Sequence, residues 1–268
     1  PALGLEGSAL ASVLTSLVQL ASYVVAILAD RRLRRYRIFG NWWRPEWSRL
    51  RDLVRLGSPV MVIIIAEAGL FSGAAFLMGR IGEAELAGHT VALQLAALAF
   101  QIPFGIGQAA TIRVGYHYGA QDHAAIGRAG WTGIAMGGSF MVLTAALMLF
   151  APTMLLSIYI DPAAPKNAAM AGFAIQYMMV AAAFALFDGI QAVAAGALRG
   201  LQDTRIPMVI AIFSYWVPGY GVAIWLGFYT PLDGTGVWIG LAIGLVFAAA
   251  LLTWRWARRE KLGLTVNA

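Results

Sequence analysis

The feature that most constrains the fold is a series of seven long apolar segments. They cover approximately residues 8–29, 57–79, 86–112, 129–151, 168–198, 206–228 and 235–256. Each is longer than the ~20 residues that an α-helix needs to cross the hydrocarbon core of a bilayer. Because lipid offers the backbone no hydrogen bonds, a continuous apolar run of this length is typical of a spanning helix. The pattern predicts an all-α integral membrane protein with seven transmembrane helices.

The composition agrees with that fold class. The 268 residues are 60% hydrophobic and only 12% charged, whereas a soluble domain has about 25% charged residues. The sequence has no cysteine, which excludes disulfides, thiolate metal sites and a cysteine nucleophile. Its first residue is Pro rather than Met, and we therefore expect a fragment of a longer protein.

The distribution of Lys and Arg predicts the orientation. The connections that follow the first, third, fifth and seventh segments contain 17 of the 19 basic residues, and the others contain only Arg80 and Lys166. Basic loops remain on the cytoplasmic side of a membrane. We therefore expect the beginning of the chain outside the cell and its C-terminus in the cytoplasm.

The connection 30–56 contains nine arginines and three tryptophans. Tryptophan rings concentrate at the headgroup level of a bilayer, and arginines there reach anionic lipid. A substrate or nucleic-acid site is the alternative interpretation. The orientation rule favours a cytoplasmic basic linker that joins two helical units, and this linker is the predicted domain boundary.

Two acids, Glu67 and Asp188, lie within apolar segments. A carboxylate at the bilayer centre costs at least ~2.5 kcal/mol on insertion scales, so such residues usually face a protein interior or a watery cavity and mark ion or substrate paths. Protonation, or pairing for helix packing, is the alternative. We expect both acids to face one internal cavity, and at least one of them to gain and lose a proton during turnover.

Amide side chains supply a second polar signal. Gln94, Gln101 and Gln108 recur every seven residues, so they drift only ~40° around a helix. Because amides are poorly accommodated by lipid, we expect Gln94 and Gln101 to point into the bundle, where they line a cavity or bond neighbouring helices. Gln191 follows Asp188 by one helical turn, which places it for a hydrogen bond to that acid.

Motifs of common enzyme classes are missing from the sequence. There is no HExxH, GxSxG or GxxxxGK[ST] pattern, which argues against a zinc hydrolase, a serine hydrolase and a phosphate loop. The only lysines, Lys166 and Lys261, lie in polar segments, so a retinal-linked sensor is excluded as well. We expect no enzyme and no cofactor, and the remaining function is transport by titratable carboxylates.

Three stretches resemble a known family. These are LGSPVMVIIIAE, which ends at Glu67, the stretch GHTVALQLAALAFQIPFGIGQAATIRVGYHYGA from Gly88, and GIQAVAAGALRGLQDTRIP from Gly189. They are similar to the seventh helix, the eighth helix and the tenth-helix end of MATE (multidrug and toxic compound extrusion) transporters, and closest to the NorM-type branch. The resemblance covers the chain from about Leu50 to Trp256.

The resemblance implies a twelve-helix bundle made of two six-helix lobes. In that arrangement, 1–29 is the last helix of the N-terminal lobe, 30–56 the inter-lobe linker, 57–258 the six-helix C-terminal lobe, and 259–268 a cytoplasmic tail. The protein is then expected in a bacterial inner membrane, in contact with lipid and with the N-terminal lobe of the same polypeptide.

The resemblance also implies an activity, which is export of cationic, often aromatic drugs in exchange for Na⁺ or H⁺. The membrane acids of the family map onto Glu67 and Asp188, which are candidate Na⁺ ligands or proton carriers. Gln94, Gln101, Phe184 and Gln191 are the expected cavity-lining residues. Phe184 stands where some sodium-coupled members have a Tyr, which leaves the coupling ion open.

The alternatives are a flippase for lipid-linked glycans, which needs a cationic cavity, and a non-transporting membrane subunit. Nucleic acid is not an expected partner.

Overall fold

The computed structural model describes residues 4–30, 40, 46–162 and 164–265. These residues form α-helices and short connections, without β-strands in the described part of the chain. The α-helices are α1 (Gly4–Ala29), α2 (Trp47–Ile81), α3 (Glu83–Gly119), α4 (His123–Phe150), the short α5 (Pro152–Leu156), α6 (Ala168–Gly200), α7 (Arg205–Phe228) and α8 (Asp233–Ala257). A 3₁₀ turn, Pro165–Asn167, precedes α6. Seven of the helices are long and apolar enough to cross a membrane, which confirms the predicted fold class.

The chain divides into two compact units, Pro1–Val54 and Arg55–Ala268. In the first unit, α1 exposes most of its apolar side chains; Leu14, Leu17 and Val18 are examples. Exposed leucine and valine suit a helix surrounded by lipid or by other spanning helices. Most of the predicted basic linker, 31–39 and 41–45, lies outside the described residues.

Several helices extend beyond the predicted apolar segments. Helix α2 begins at Trp47 rather than 57, α3 continues to Gly119 rather than 112, and α4 begins at His123 rather than 129. Hydropathy locates the hydrocarbon boundary, whereas the helical hydrogen-bond ladder continues into the interface. Gly57 and Pro59 do not end α2, because spanning helices tolerate both residue types.

Helix α6 lies at the centre of the second unit, where it packs against α3, α4 and α8. The approach to α3 is closest at Gly196, where a Cβ atom would overlap the carbonyl of Gly107. The hydroxyl of Thr111 on α3 donates a hydrogen bond of 2.8 Å to the Gly196 carbonyl. Small residues at this crossing let the two backbones meet, as is usual for helices in membranes.

The connection between α6 and α7 is fixed by an ion pair. Arg255 on α8 donates two hydrogen bonds to Asp203, of 2.6 and 3.1 Å. Bidentate pairs of this kind are geometrically specific. The pair therefore sets where α7 begins relative to α6 and α8.

The middle of α7 is a π-helical turn, Tyr215–Tyr220, which contains Pro218. Proline cannot donate the regular helical hydrogen bond, and single π turns inside α-helices are frequent at functional sites. The turn holds Tyr215 in the interior, where its side chain is fully buried.

Candidate functional site

A single amide connects the two membrane acids. Gln191 Nε2 donates to Glu67 Oε1 at 3.2 Å and lies 3.5 Å from Asp188 Oδ1. Glu67 comes from α2, whereas Asp188 and Gln191 lie one turn apart on α6. An amide nitrogen carries two N–H groups, so it can serve both carboxylates at once. The structure thus brings together two acids that are 121 positions apart in the sequence.

Tyr215 completes this group of residues, which we call the acidic cluster (Glu67, Asp188, Gln191 and Tyr215). Its hydroxyl donates to Gln191 Oε1 at 2.9 Å. Asp188 and Gln191 are only 7% and 3% exposed. Because the buried amide is hydrogen-bonded at both ends, Tyr215 orients Gln191 and, through it, the two carboxylates.

Sequence reasoning missed Tyr215. The available signal was a tyrosine in an apolar segment three residues before Pro218. A buried tyrosine hydroxyl usually has a hydrogen-bond partner. That signal identifies a buried polar group, but the partner, on a different helix, can be identified only from the fold.

The acidic cluster borders a cavity of about 350 Å³, the acidic cavity. Its polar groups are the carboxylates of Glu67 and Asp188. The rest of the wall is apolar and largely aromatic, and it includes Phe71, Phe100, Phe104 and Phe184. Aromatic rings attract cations through their faces, and the acids supply negative charge. The cavity is chemically suited to a cation with an apolar body.

Phe184 belongs both to this wall and to the core. It is 3% exposed and stacks on Trp238, with ring centroids 5.9 Å apart. A phenyl ring offers no oxygen to a cation, so the position contributes shape rather than a ligand. The structure places Phe184 on the wall of the acidic cavity.

A second, smaller cavity of about 40 Å³ also borders the acidic cluster. Glu67, Gln191, Gln108 and Arg199 are among the residues that line it. Gln94, Gln101 and Gln108 form the glutamine stripe of α3. Gln108 is the member of this stripe that lines the smaller cavity beside the acidic cluster. Arg199, in the last turn of α6, contributes a cationic side chain to this smaller cavity.

Gln94 and Gln101 are exposed among the described residues, so they do not pack inside the second unit. Their position inside a complete bundle stays a prediction. A spacing of seven residues identifies a shared face but not the face that packs. The buried residues of α3 are mostly small, and they include Ala92, Leu95 and Ala110. At about 100° per residue, the glutamine stripe lies roughly opposite them.

The described residues contain no group of three or more His, Cys, Asp or Glu side chains that could hold a metal ion. Within the acidic cluster, the carboxylate oxygens of Glu67 and Asp188 have the chemistry to ligate a hard cation such as Na⁺. The Gln191 oxygen faces Tyr215 in this arrangement.

Comparison with known proteins identifies the family. The MatE family profile matches residues 59–225, which contain the acidic cluster and most of the acidic cavity's helices. The chain belongs to the MATE family.

Curated relatives point to the same family over nearly the whole chain. A probable multidrug resistance protein NorM of Mesorhizobium japonicum is 44% identical over 98% of this chain and 56% of that protein. The multidrug resistance protein NorM of Burkholderia vietnamiensis is 39% identical over 95% of the chain and 54% of that protein. The chain thus spans about half the length of the relatives that it matches.

Solved structures share the fold. A multidrug resistance MATE family transporter of the MOP superfamily, in an outward-facing conformation, aligns with a TM-score of 0.78 at 25% identity, covering 100% of this chain and 59% of that one. A MOP superfamily transporter from Pyrococcus furiosus aligns with a TM-score of 0.78 at 24% identity, covering 99% and 58%. These matches extend the MATE architecture to the helices outside the profile.

Proposed function

We propose that the transporter containing this chain exports cationic, aromatic drugs in exchange for Na⁺ or H⁺, with Glu67 and Asp188 as the groups that bind the coupling ion. The observation that carries the proposal is the Gln191 amide between the two carboxylates at the wall of the acidic cavity. A drug cation and a coupling ion would each neutralise the same buried negative charge. Their binding is therefore mutually exclusive, which is the thermodynamic requirement of exchange.

The domain assignment is part of the proposal. We assign 1–29 to the last helix of an N-terminal lobe, 30–56 to a cytoplasmic linker, 57–258 to the C-terminal lobe and 259–268 to a cytoplasmic tail, in a bacterial inner membrane. The supporting observation is the charge asymmetry of the connections, since basic connections stay on the cytoplasmic side. The glutamines Gln94 and Gln101 are exposed on α3, and we assign them to the face that an N-terminal lobe would cover.

Gln191 makes the site adaptable to either ion. With its N–H groups toward the acids, it stabilises carboxylates that await a proton or a cationic drug. Rotation of the amide by half a turn would present its oxygen to Na⁺ and its N–H groups to the Tyr215 hydroxyl, which can also accept. Tyr215 thereby supports both orientations of one amide.

A flippase for anionic lipid-linked glycans is the second candidate that the fold permits. It requires cationic groups in the cavity to hold phosphates. The acidic cavity is instead lined by two carboxylates and phenyl rings, and Arg199 reaches only the smaller cavity. The polarity of the site favours cationic cargo.

The test uses the full-length transporter reconstituted in proteoliposomes, with ethidium as the cationic aromatic probe. We expect an imposed pH or Na⁺ gradient to drive ethidium movement by wild type, and the Glu67→Gln/Asp188→Asn variant to lose this coupled movement. The matched control is Glu83→Gln, an acid-to-amide change at an exposed position at the start of α3, which should transport normally. Wild-type rates and ion dependence in the double amide variant, at matched reconstitution, would contradict the proposal and favour a non-transporting subunit.

A further inference from the structure

Another cavity of the second unit lies away from the acidic cluster. It has a volume of about 500 Å³ and forms a groove between α3 and α4. At about 100° per residue, the α3 residues of this groove lie roughly 140° around the helix axis from those of the acidic cavity. The groove is therefore on a different flank of α3, and the proposed exchange of drug and ion makes no use of it.

The polar end of the groove is basic. Arg113 and His117 come from the last two turns of α3, and Arg128 comes from the second turn of α4. Both arginines are exposed and form no ion pair with another described residue. Asp122 also borders the groove, but its carboxylate accepts the Ala125 N–H at 2.9 Å as the cap of α4. The charged side chains at this end that make no such bond, Arg113 and Arg128, are positive.

The remainder of the groove is apolar or weakly polar. Ile106, Ala109, Thr132 and Met136 line it. From His117 to Ile106, α3 rises about 16 Å, so the groove runs from a helix end well into a span. A charged end joined to an apolar channel of this length matches the shape of a phospholipid, with its phosphate at the helix ends and its acyl chain along the span.

The charge pattern of the sequence identifies the side of the membrane. Arg113 and Arg128 flank one of the connections that hold 17 of the 19 basic residues, which the orientation rule places on the cytoplasmic side. The cytoplasmic leaflet is rich in anionic lipid, and basic pockets between helices on that side bind anionic headgroups.

We propose that this groove, the basic groove, binds an anionic phospholipid of the cytoplasmic leaflet. Arg113 and Arg128 hold the phosphate, His117 adds a ring N–H, and the channel between Ile106 and Met136 accepts an acyl chain. Binding is independent of the drug and ion site.

The experiment is native mass spectrometry of the purified full-length transporter with added phosphatidylglycerol or phosphatidylethanolamine. We expect wild type to retain one phosphatidylglycerol in preference to phosphatidylethanolamine. The Arg113→Gln/Arg128→Gln variant should retain it about 30-fold more weakly, since each basic residue near the surface contributes about 1 kcal/mol. The matched control is Arg205→Gln/Lys261→Gln, which removes two exposed charges outside the groove and should bind as wild type does.

A second variant tests the channel without altering charge. Ala109→Trp places an indole in the groove, whereas Ala135→Trp places one at an exposed position outside it. We expect only the former to displace phosphatidylglycerol. Equal retention of both lipids by wild type, equal loss in the arginine variant and its control, or displacement by millimolar inorganic phosphate alone would overturn the assignment to lipid.

Discussion

Two buried clusters of polar side chains in the second unit differ in how their polar atoms are hydrogen-bonded. The side chains of the acidic cluster hydrogen-bond to one another through Gln191. In the aromatic cluster, which we define as His89, Tyr177 and Trp238, both His89 ring nitrogens, the Tyr177 hydroxyl and the Trp238 indole N–H have no hydrogen-bond partner among the described residues. Phe184 connects the two clusters, because it stacks on Trp238 and borders the acidic cavity.

The difference follows from the balance of forces in each cluster. Tyr177 stacks on Trp238 with centroids 5.7 Å apart, and His89 meets the same indole edge-on at 5.5 Å. Ring burial and stacking there outweigh the loss of about 1–3 kcal/mol for each unpaired polar group. In the acidic cluster, ring burial and stacking cannot compensate for unpaired polar groups, because a buried carboxylate must be neutralised or hydrogen-bonded. We infer that the aromatic cluster supports the fold and the acidic cluster carries the function.

The largest expected contrast is between a charge change in the acidic cluster and a ring deletion in the aromatic cluster. Asp188→Asn should lower ethidium efflux by about 100-fold, near the upper end of coupling free energies, with little change in thermal stability. Trp238→Ala should instead lower stability by about 3–5 kcal/mol, because it empties a fully buried ring site. Efflux per folded transporter and thermal melting in detergent distinguish the two effects. Full ethidium efflux by Asp188→Asn would contradict the functional role that separates the acidic cluster from the aromatic cluster.

Glu67→Gln should have a smaller effect than Asp188→Asn. Glu67 is partly exposed to the cavity, whereas Asp188 is buried, so water can compensate a change at Glu67 more easily. We expect about a tenfold loss of efflux, measured in the same assay and at matched expression. A larger loss than that of Asp188→Asn would reverse the roles assigned to the two acids.

The next contrast concerns the buried nitrogen donors. Gln191→Leu removes the shared donor of two carboxylates and the acceptor of the Tyr215 hydroxyl, and we expect about a tenfold loss of efflux, since hydrogen bonds to charged groups contribute about 1.5–3 kcal/mol. His89→Leu removes two unpartnered nitrogens, so efflux should stay unchanged and stability should stay the same or rise. Loss of efflux in the His89 variant, with stability intact, would show that the aromatic cluster also carries function.

What could be predicted from the sequence depended on whether a signal concerns one segment or the packing of several helices. Hydropathy reports on its own segment, so seven helices could be predicted and were confirmed. The burial of Asp188 followed from the same local reasoning. The ends of α3 and α4 were missed because the helical ladder extends past the apolar run into the interface. The periodicity of the glutamine stripe (Gln94, Gln101 and Gln108) defines one face of α3, but it does not tell which face meets α6.

The Tyr215–Gln191 hydrogen bond could not be predicted from the sequence, for a different reason. The two residues are 24 positions apart and on different helices, and Tyr215 is the first residue of the π-helical turn that contains Pro218. Nothing in the apolar pattern of α7 predicts that turn. The cytoplasmic placement of the connections stays a prediction, which labelling of an introduced cysteine at Arg37 in intact cells can test.

The smallest expected contrast is between two fully buried tyrosines. Tyr215→Phe removes a hydroxyl that donates to Gln191 at 2.9 Å, and we expect a loss of about 1 kcal/mol in unfolding free energy. Tyr177→Phe removes a hydroxyl without a partner, so stability should be unchanged or increased. Thermal melting of the two variants side by side gives the comparison. Equal losses would mean that the Tyr177 hydroxyl is bonded in the working protein.

The most direct test of the central claim, that Glu67 and Asp188 form one ion site, is a double-mutant cycle. Ethidium efflux by full-length wild type, Glu67→Gln, Asp188→Asn and the double variant gives the coupling free energy between the two positions. If the acids act as one unit through Gln191, the double variant should lose no more activity than Asp188→Asn alone. Losses that multiply, as for independent sites, would contradict a shared site.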